Sequence, residues 1–167
     1  MSKSDIGSWL TTLIADATAA RLSVATAESL TGGLLAATIV DVPGASGMFF
    51  GGVVAYQNSV KVRALGVSEK LLDQRGAVDA DVAVAMALGA CRATGARVGI
   101  STTGVAGPEP HQGKDVGTVY VGIALDGVAR AHKFHLAGDR AAIRHQTVSE
   151  ALQLLLDLVK TMREQKL

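Results

Sequence analysis

The chain has 167 residues, enough for one domain with a continuous core but cramped for two. Hydrophobic residues make up 49% of it and aromatic residues only 4%, a composition that suits closely packed helices and sheets. The formal net charge is +1, so no strong field would attract nucleic acid or an anionic membrane. We therefore expect a single α/β domain over residues 1–167, with no nucleic-acid partner.

The amino terminus shows no cationic segment followed by an unbroken apolar stretch, and no window approaches eighteen consecutive apolar residues. We therefore predict a soluble, cytoplasmic protein without a membrane partner. Cys91 is the only cysteine, which excludes an intrachain disulfide and a thiolate metal cluster. Its apolar neighbours favour a buried small hydrophobe over a nucleophile.

The first third of the chain alternates helices with short apolar strands. Apolar residues at i, i+3, i+4 spacing predict an amphipathic helix over 5–21, followed by a buried strand over 21–27. A second helix is expected over about 31–41, where a Pro-Gly turn ends it. The second predicted strand covers 48–56, and its paired glycines indicate a bulge or a close backbone approach.

The middle of the chain is predicted to be mainly helical. Short helices are expected over 58–66 and 68–76, each closed by a glycine suited to the left-handed cap conformation. A longer helix follows over 79–94, with Asp79 as its cap. The third strand is predicted over 96–104.

The last part of the chain predicts a β-hairpin and a helix. The apolar segments 117–125 and 128–137 flank an Asp-Gly pair, a strong hairpin signal. A final helix is expected from about 138 onward. Its apolar face comprises Ala141, Val148, Ala151, Leu152, Leu155 and Val159.

Chemically unusual residues follow the ends of the first three predicted strands. In open α/β sheets, ligands gather beyond the carboxyl ends of parallel strands, where backbone donors and helix amino termini converge. We therefore expect the functional site there.

After the first strand, Ser29 is followed closely by Thr31, Gly32 and Gly33. Glycines let backbone N–H groups approach a ligand, and the first turn of a helix leaves those groups unpaired. The turn could bind an oxyanion or a phosphate. In the structural alternative, Ser29 or Thr31 is only an N-cap and the glycines allow a tight helix–strand contact.

After the second strand, Tyr56 precedes Lys61, which falls near the start of a predicted helix. The helix dipole disfavours a positive charge there, and the apolar neighbours Val60 and Val62 would desolvate it. Both effects favour a neutral amine, which can take a proton from a serine. The alternative is a solvated lysine beside a half-buried tyrosine.

Further anion-binding candidates follow later in the chain. Thr102, Thr103 and Gly104 end the third strand, and their backbone could wrap a phosphate or a sugar or could form a structural loop. Arg140 and Arg144 share a helix face at i, i+4. This pair suits recognition of a phosphate or carboxylate, or else remains solvated charge.

Sequence motifs for cofactors are missing. The segment GPEPHQGKD departs from the spacing of a P-loop, no G-x-G-x-x-G follows a strand, and no G-x-S-x-G surrounds a serine. The four histidines lack zinc-binding spacing. We therefore predict neither a cofactor nor a metal.

The chain carries five motifs, which are TAESLTGG, Y-x-x-x-x-K, TGVAGP, GTVYVG and GDRAAIR. Because these motifs occur in the same order in the C-terminal domain family of CinA, the chain resembles that family from about Ile6 to Leu158. The resemblance implies a three-layer α/β/α sandwich with a mixed sheet. It also implies hydrolysis of nicotinamide mononucleotide to nicotinate mononucleotide and ammonia, in pyridine nucleotide recycling, by a homo-oligomer (dimer or trimer). We expect no room here for the amino-terminal, molybdopterin-binding-like domain of full-length members.

The resemblance also implies catalytic roles for individual residues. Ser29 matches the nucleophile, Lys61 its general base, and Tyr56 a residue that positions them or relays protons between them. The N–H groups near Thr31, Gly32 and Gly33 are the expected donors to the oxyanion. Glu28 either orients this site or has a structural role.

The substrate's phosphate is expected to bind Arg144, which matches the family's arginine in the terminal helix. The turn over residues 31–33 is the alternative site for the phosphate. Arg140 is a further substrate-binding candidate, and Thr103 and Gly104 would line the ribose or phosphate. The chain departs from the family pattern at Pro110-His111-Gln112, where glycines are usual, so the path of this loop and the preferred substrate stay open.

Two other functions remain compatible with the sequence. One is a non-catalytic nucleotide-binding or assembly module, which would release no ammonia. The other is an amidase of a related small amide, which would release ammonia from a different best substrate.

Overall fold

A five-stranded mixed sheet forms the centre of the fold in this computed structural model, which describes residues 3–164. The strands are β1 (Val24–Glu28), β2 (Phe49–Val54), β3 (Val98–Gly104), β4 (Thr118–Leu125) and β5 (Val128–His135). Their spatial order is β2-β1-β3-β4-β5. β1 pairs in parallel with β2 and β3, whereas β3–β4 and β4–β5 are antiparallel pairs.

Helices pack on both faces of this sheet. On one face lie α1 (Lys3–Ala19), α2 (Leu34–Val40) and α6 (Arg140–Glu164); on the other lie α3 (Asn58–Leu65), α4 (Glu69–Arg75) and α5 (Ala80–Thr94). Strand β1 shows the division, since Val24 packs with the first group and Ala25 and Ala27 with the second. The predicted α/β/α sandwich with a mixed sheet is therefore confirmed.

Several local predictions are also confirmed. The Asp79 side chain accepts a hydrogen bond from the backbone N–H of Asp81 and caps α5. Gly66 ends α3 in the left-handed conformation, but Gly76 after α4 has ψ of 173° and does not. The hairpin turn is formed by residues 126–127 between β4 and β5.

The paired glycines of β2 accommodate the neighbouring strand. The register between β1 and β2 shifts by one residue just before Gly51, and this shift forms a β-bulge. A Cβ on Gly52 would collide with the hydroxyl of Thr26 on β1. The close backbone approach predicted for these glycines is therefore present.

One helix boundary and one core position differ from the predictions. Helix α2 begins at Leu34, three residues later than expected, because Gly32 and Gly33 adopt φ angles of 59° and 96° and turn the chain first. In α6, Ala141 is exposed and Ile143 takes its place in the core. None of the helices between residues 3 and 164 combines the length and the apolar character that crossing a membrane requires.

Candidate active site

A cavity of about 550 Å³ lies at the carboxyl ends of the three parallel strands, as predicted. This volume falls within the range of small-molecule sites. Each of the three strands is followed by residues that line the cavity, and α6 contributes Arg140. Of the predicted site residues, the cavity is lined by Ser29, Tyr56, Lys61, Thr103, Gly104 and Arg140, and not by Thr31, Gly32, Gly33 or Arg144.

Ser29 and Lys61 are in direct contact in this cavity. The Nζ atom of Lys61 lies 3.2 Å from the Oγ atom of Ser29. Lys61 belongs to the first turn of α3 and is only 1% exposed, whereas Ser29 is half-buried. The serine hydroxyl is therefore reachable from the cavity, while its lysine partner is shielded behind it.

The environment of Lys61 brings the neutral amine within reach near neutral pH. Burial lowers the pKa of Lys61 from 10.5 to about 8. Its Nζ also donates to the backbone carbonyls of Ala55 at 2.9 Å and Tyr56 at 3.2 Å. In its neutral form, which has two N–H bonds and one lone pair, the amine can donate to both carbonyls and direct the lone pair at the Ser29 hydroxyl. The geometry suits proton transfer from Ser29 to Lys61.

The Tyr56 side chain points to a different partner from the one expected. Its hydroxyl accepts a hydrogen bond from Nη2 of Arg140 at 2.9 Å, and the side chain is 55% exposed. Within the described residues this hydroxyl forms no hydrogen bond with Ser29 or Lys61. The proton relay expected of Tyr56 therefore has no support in its contacts; only its backbone carbonyl touches Lys61.

Glu28 caps α2, which follows the turn formed by residues 29–33, called here the Ser29 turn. Its buried carboxylate accepts hydrogen bonds from the N–H groups of Gly33 at 2.9 Å, Leu35 at 3.0 Å and Ala36 at 2.8 Å. A carboxylate at a helix amino terminus satisfies unpaired N–H groups and the helix dipole together. The capping role that the sequence offered to Ser29 or Thr31 belongs to Glu28, which leaves the Ser29 hydroxyl free for Lys61.

This arrangement corrects the expected set of oxyanion donors. Glu28 occupies the Gly33 N–H, and the Gly32 N–H donates to the carbonyl of Ser29 at 3.1 Å. Within residues 3–164, the N–H groups of Leu30 and Thr31 have no hydrogen-bond acceptor, and Leu30 lines the cavity. The Thr31 hydroxyl is buried and bonds that of Thr102 at 2.7 Å.

The loop that departs from the family pattern is attached to the segment between α4 and α5, which also lines the cavity. Gln112 accepts a hydrogen bond from the backbone N–H of Ala77 at 2.9 Å. The hydroxyl of Thr103 donates to the carbonyl of the same residue at 2.6 Å. The segment between α4 and α5 is therefore held from two sides, a role for Gln112 that sequence analysis missed because only its departure from a pattern was visible.

The two arginines of α6 have separate positions. Exposed Arg140 lines the cavity, and its Nη1 donates to the carbonyl of Gly107 at 2.7 Å. Half-buried Arg144 turns toward the Ser29 turn, where Nε donates to the Leu30 carbonyl at 2.9 Å and Nη2 to the Thr31 carbonyl at 2.7 Å. Sharing a helix face does not bring both guanidinium groups to one ligand.

Two further titratable residues, Glu109 and His111, line this cavity, and the cysteine lies apart from it. Cys91 on α5 does not line it, and burial raises the pKa of its thiol. In the part of the chain that the structure describes, no three His, Cys, Asp or Glu side chains lie close enough together to hold a metal ion.

The amino-acid sequence of the chain matches a protein-family model and several curated proteins. A model of the CinA C-terminal domain matches residues 8–159. The chain is 49% identical over 133 residues to a CinA-like protein of Frankia casuarinae, which is 80% of this chain and 31% of that protein. It is 42% identical over 139 residues to a putative competence-damage inducible protein of Bacillus subtilis, 83% of this chain and 33% of the relative. The chain thus spans about a third of the length of these curated relatives.

Solved structures share the same fold. A CinA superfamily protein from Escherichia coli has a TM-score of 0.90 and 32% identity, covering 95% of this chain and 93% of its own. The competence/damage inducible protein CihA from Agrobacterium tumefaciens has a TM-score of 0.87 and 36% identity, covering 92% and 95%. The likeness therefore extends over nearly the whole of each compared chain.

Proposed function

Since this chain belongs to the CinA C-terminal domain family, we propose that it is an amidohydrolase that converts nicotinamide mononucleotide to nicotinate mononucleotide and ammonia. The observation that carries the proposal is the contact between Ser29 and buried Lys61, whose Nζ also donates to two backbone carbonyls. The reaction needs no cofactor and would serve pyridine nucleotide recycling.

The proposed reaction proceeds through an acyl-enzyme. Neutral Lys61 accepts the Ser29 proton while Oγ attacks the carboxamide carbon, and a tetrahedral oxyanion forms. The resulting ammonium group of Lys61 returns the proton to the departing nitrogen, which leaves as ammonia. Water then attacks the ester with Lys61 again as the base, releasing the carboxylate and restoring the Ser29 hydroxyl.

The oxyanion requires hydrogen-bond donors close to Ser29. The N–H of Leu30 is the proposed donor, because it is adjacent to the nucleophile in the chain, lacks an acceptor among residues 3–164, and belongs to a residue that lines the cavity. This assignment replaces the Gly32 and Gly33 donors expected from sequence, since both of those N–H groups are already engaged.

The phosphate of the nucleotide is proposed to bind Arg140. Lys61 and Arg140 are the lysine and arginine side chains that line the cavity, and Lys61 is committed to Ser29. The contacts of Arg140 with Tyr56 and the Gly107 carbonyl hold its guanidinium at the cavity while leaving further N–H bonds for a ligand. Thr103 and Gly104 line the same cavity and would face the ribose.

Replacing Arg140 with glutamine is expected to raise the KM for nicotinamide mononucleotide by about 10- to 100-fold, the usual range for a lost hydrogen bond to a charged group. The KM for nicotinamide riboside, which has no phosphate, should stay within about twofold, a margin set by the context dependence of such contacts. Steady-state kinetics with both substrates measures the difference. An equal rise for both would place the phosphate elsewhere.

The purified wild-type protein is expected to release ammonia from nicotinamide mononucleotide faster than from nicotinamide riboside or free nicotinamide. A coupled ammonia assay measures all three. Binding without release would favour a nucleotide-binding or assembly module, and release mainly from another small amide would identify a related amidase. We also propose, from the family resemblance, that the protein is a cytoplasmic homo-oligomer. Light scattering of the purified protein would test the oligomeric state.

A further inference from the structure

We infer that Arg144 is a positioning residue for the reaction. Through the backbone of the Ser29 turn, it orients the Leu30 N–H group and makes this group a stronger hydrogen-bond donor. The inference rests on the proposed function, since it concerns the oxyanion formed at Ser29. It assigns Arg144 a role distinct from the phosphate binding that the family resemblance implies.

The hydrogen bonds of Arg144 to this turn are all to backbone carbonyls. Its Nε and Nη2 atoms donate to two consecutive carbonyls, those of Leu30 at 2.9 Å and Thr31 at 2.7 Å. The guanidinium is a rigid planar fork, so two bonds to neighbouring carbonyls fix the orientation of both peptide groups. Arg144 itself is half-buried on α6 and does not line the cavity.

The planarity of the peptide bond carries this orientation to the nucleophile. In a trans peptide the C=O and the following N–H point in opposite directions. With the Thr31 carbonyl held by Arg144, the Gly32 N–H faces the other way, where it donates to the Ser29 carbonyl at 3.1 Å. With that carbonyl held in turn, the Leu30 N–H faces away from it, and Leu30 lines the cavity.

The same chain of bonds strengthens the donor. Hydrogen bonds in series polarise one another, and a cation at the head of the series increases the partial positive charge at its far end. The series runs from the guanidinium through the Thr31–Gly32 and Ser29–Leu30 peptides to the oxyanion position. Glu28 complements it by binding the N–H groups of the next residues, so the positive side chain meets carbonyls and the negative one meets N–H groups.

Positioning and phosphate binding predict different kinetics. A phosphate ligand would be needed only by a phosphorylated substrate and would act mainly on KM. A group that sets the oxyanion donor acts on the transition state of any substrate attacked by Ser29, and therefore on kcat.

The first test is the Arg144→Gln variant, assayed with nicotinamide mononucleotide and nicotinamide riboside. We expect kcat to fall by about 10- to 100-fold with both substrates and KM to change less than about threefold, since the donor is weakened rather than removed. Arg140→Gln should instead raise the KM for nicotinamide mononucleotide and leave kcat nearly unchanged. Arg163→Gln, on the same helix and paired with Asp16, serves as a surface control and should change neither constant.

The second test follows Ser29 without any nucleotide. A small neutral alkyl fluorophosphonate is attacked by Ser29 Oγ at phosphorus, fluoride leaves, the serine proton passes to Lys61, and mass spectrometry times the adduct. We expect Arg144→Gln to slow this labelling by a factor similar to its loss of kcat. Arg144→Lys, which keeps the charge but not the fork, should show a smaller loss and replaces the glutamine variant if that one does not fold.

The outcomes separate the inference from the proposed function. If wild type is labelled at Ser29 but releases no ammonia, the amidase proposal fails, and slower labelling of the Arg144 variants still supports the inference. If a folded Arg144 variant is labelled as fast as wild type, or loses activity only as a raised KM for the phosphorylated substrate, the inference is overturned. If wild type is neither active nor labelled, both fail.

Discussion

Replacing Ser29 with alanine is expected to reduce ammonia release from nicotinamide mononucleotide by at least about a thousandfold, the scale of loss when a nucleophile is removed. The variant keeps Lys61 and its two carbonyl contacts but has no oxygen to form the ester. Water would have to attack the amide directly, without an acyl-enzyme. The measurement is the initial rate of ammonia release at saturating substrate.

A neighbouring serine provides the matched control. Ser59, on the exposed side of the first turn of α3, does not line the cavity, so Ser59→Ala should retain wild-type rates. Calorimetry should show that Ser29→Ala binds the nucleotide with nearly unchanged affinity, since the lost hydroxyl contributes to the transition state rather than to ground-state binding. A folded Ser29→Ala protein with a tenth or more of the wild-type rate would exclude Ser29 as the nucleophile.

The topology predicts that the segments carrying Ser29 and Lys61 meet at one edge of the sheet, whereas the pairing of these two side chains is expected from the family resemblance. Both residues follow apolar strands, and β1 and β2 are parallel neighbours, so the segments after them meet at one edge of the sheet. The distance between residues 29 and 61 in the chain therefore matters little. The same rule placed Thr103 and Gly104, which end the third parallel strand, in the same cavity.

Contacts between long side chains and backbone could not be predicted in this way. Spacing places Arg140 and Arg144 on one helix face, but each has several rotatable bonds and finds its own carbonyl acceptors. The motif likewise suggests that Gly32 and Gly33 offer free N–H groups. It does not show that Glu28 reaches across the turn to use one of them, because this depends on the path that the glycine φ angles create.

Replacing Lys61 with methionine is expected to lower kcat by about 100- to 10,000-fold, the usual contribution of a general base. Methionine has a similar length, so the side chain still fills its buried position, but it cannot accept the Ser29 proton. The loss should be measured at several pH values, since wild type requires the neutral amine. Its kcat/KM is expected to fall below pH 8, where Lys61 becomes protonated, and to level off above it.

The pH profile of the variant is the control for that assignment. Lys61→Met should have a flat kcat/KM between pH 7 and 9, since the group that titrates near pH 8 is gone. If the variant keeps the wild-type slope, another group must act as the base. If both proteins are flat, the proton transfer does not limit the rate and the amine assignment loses its support.

The lowered pKa of Lys61 also leads to a prediction that is independent of any substrate. Its pKa is about 8 in the folded chain and 10.5 when unfolded, so between these values the unfolded chain binds the extra proton. The unfolding free energy of wild type should therefore rise with pH from 8 to 10.5 relative to that of Lys61→Met, by at most roughly 3 kcal/mol. Urea unfolding of both proteins across this range measures the difference. A constant difference would show that Lys61 keeps its ordinary pKa, and the serine would then lack the base on which the proposed chemistry depends.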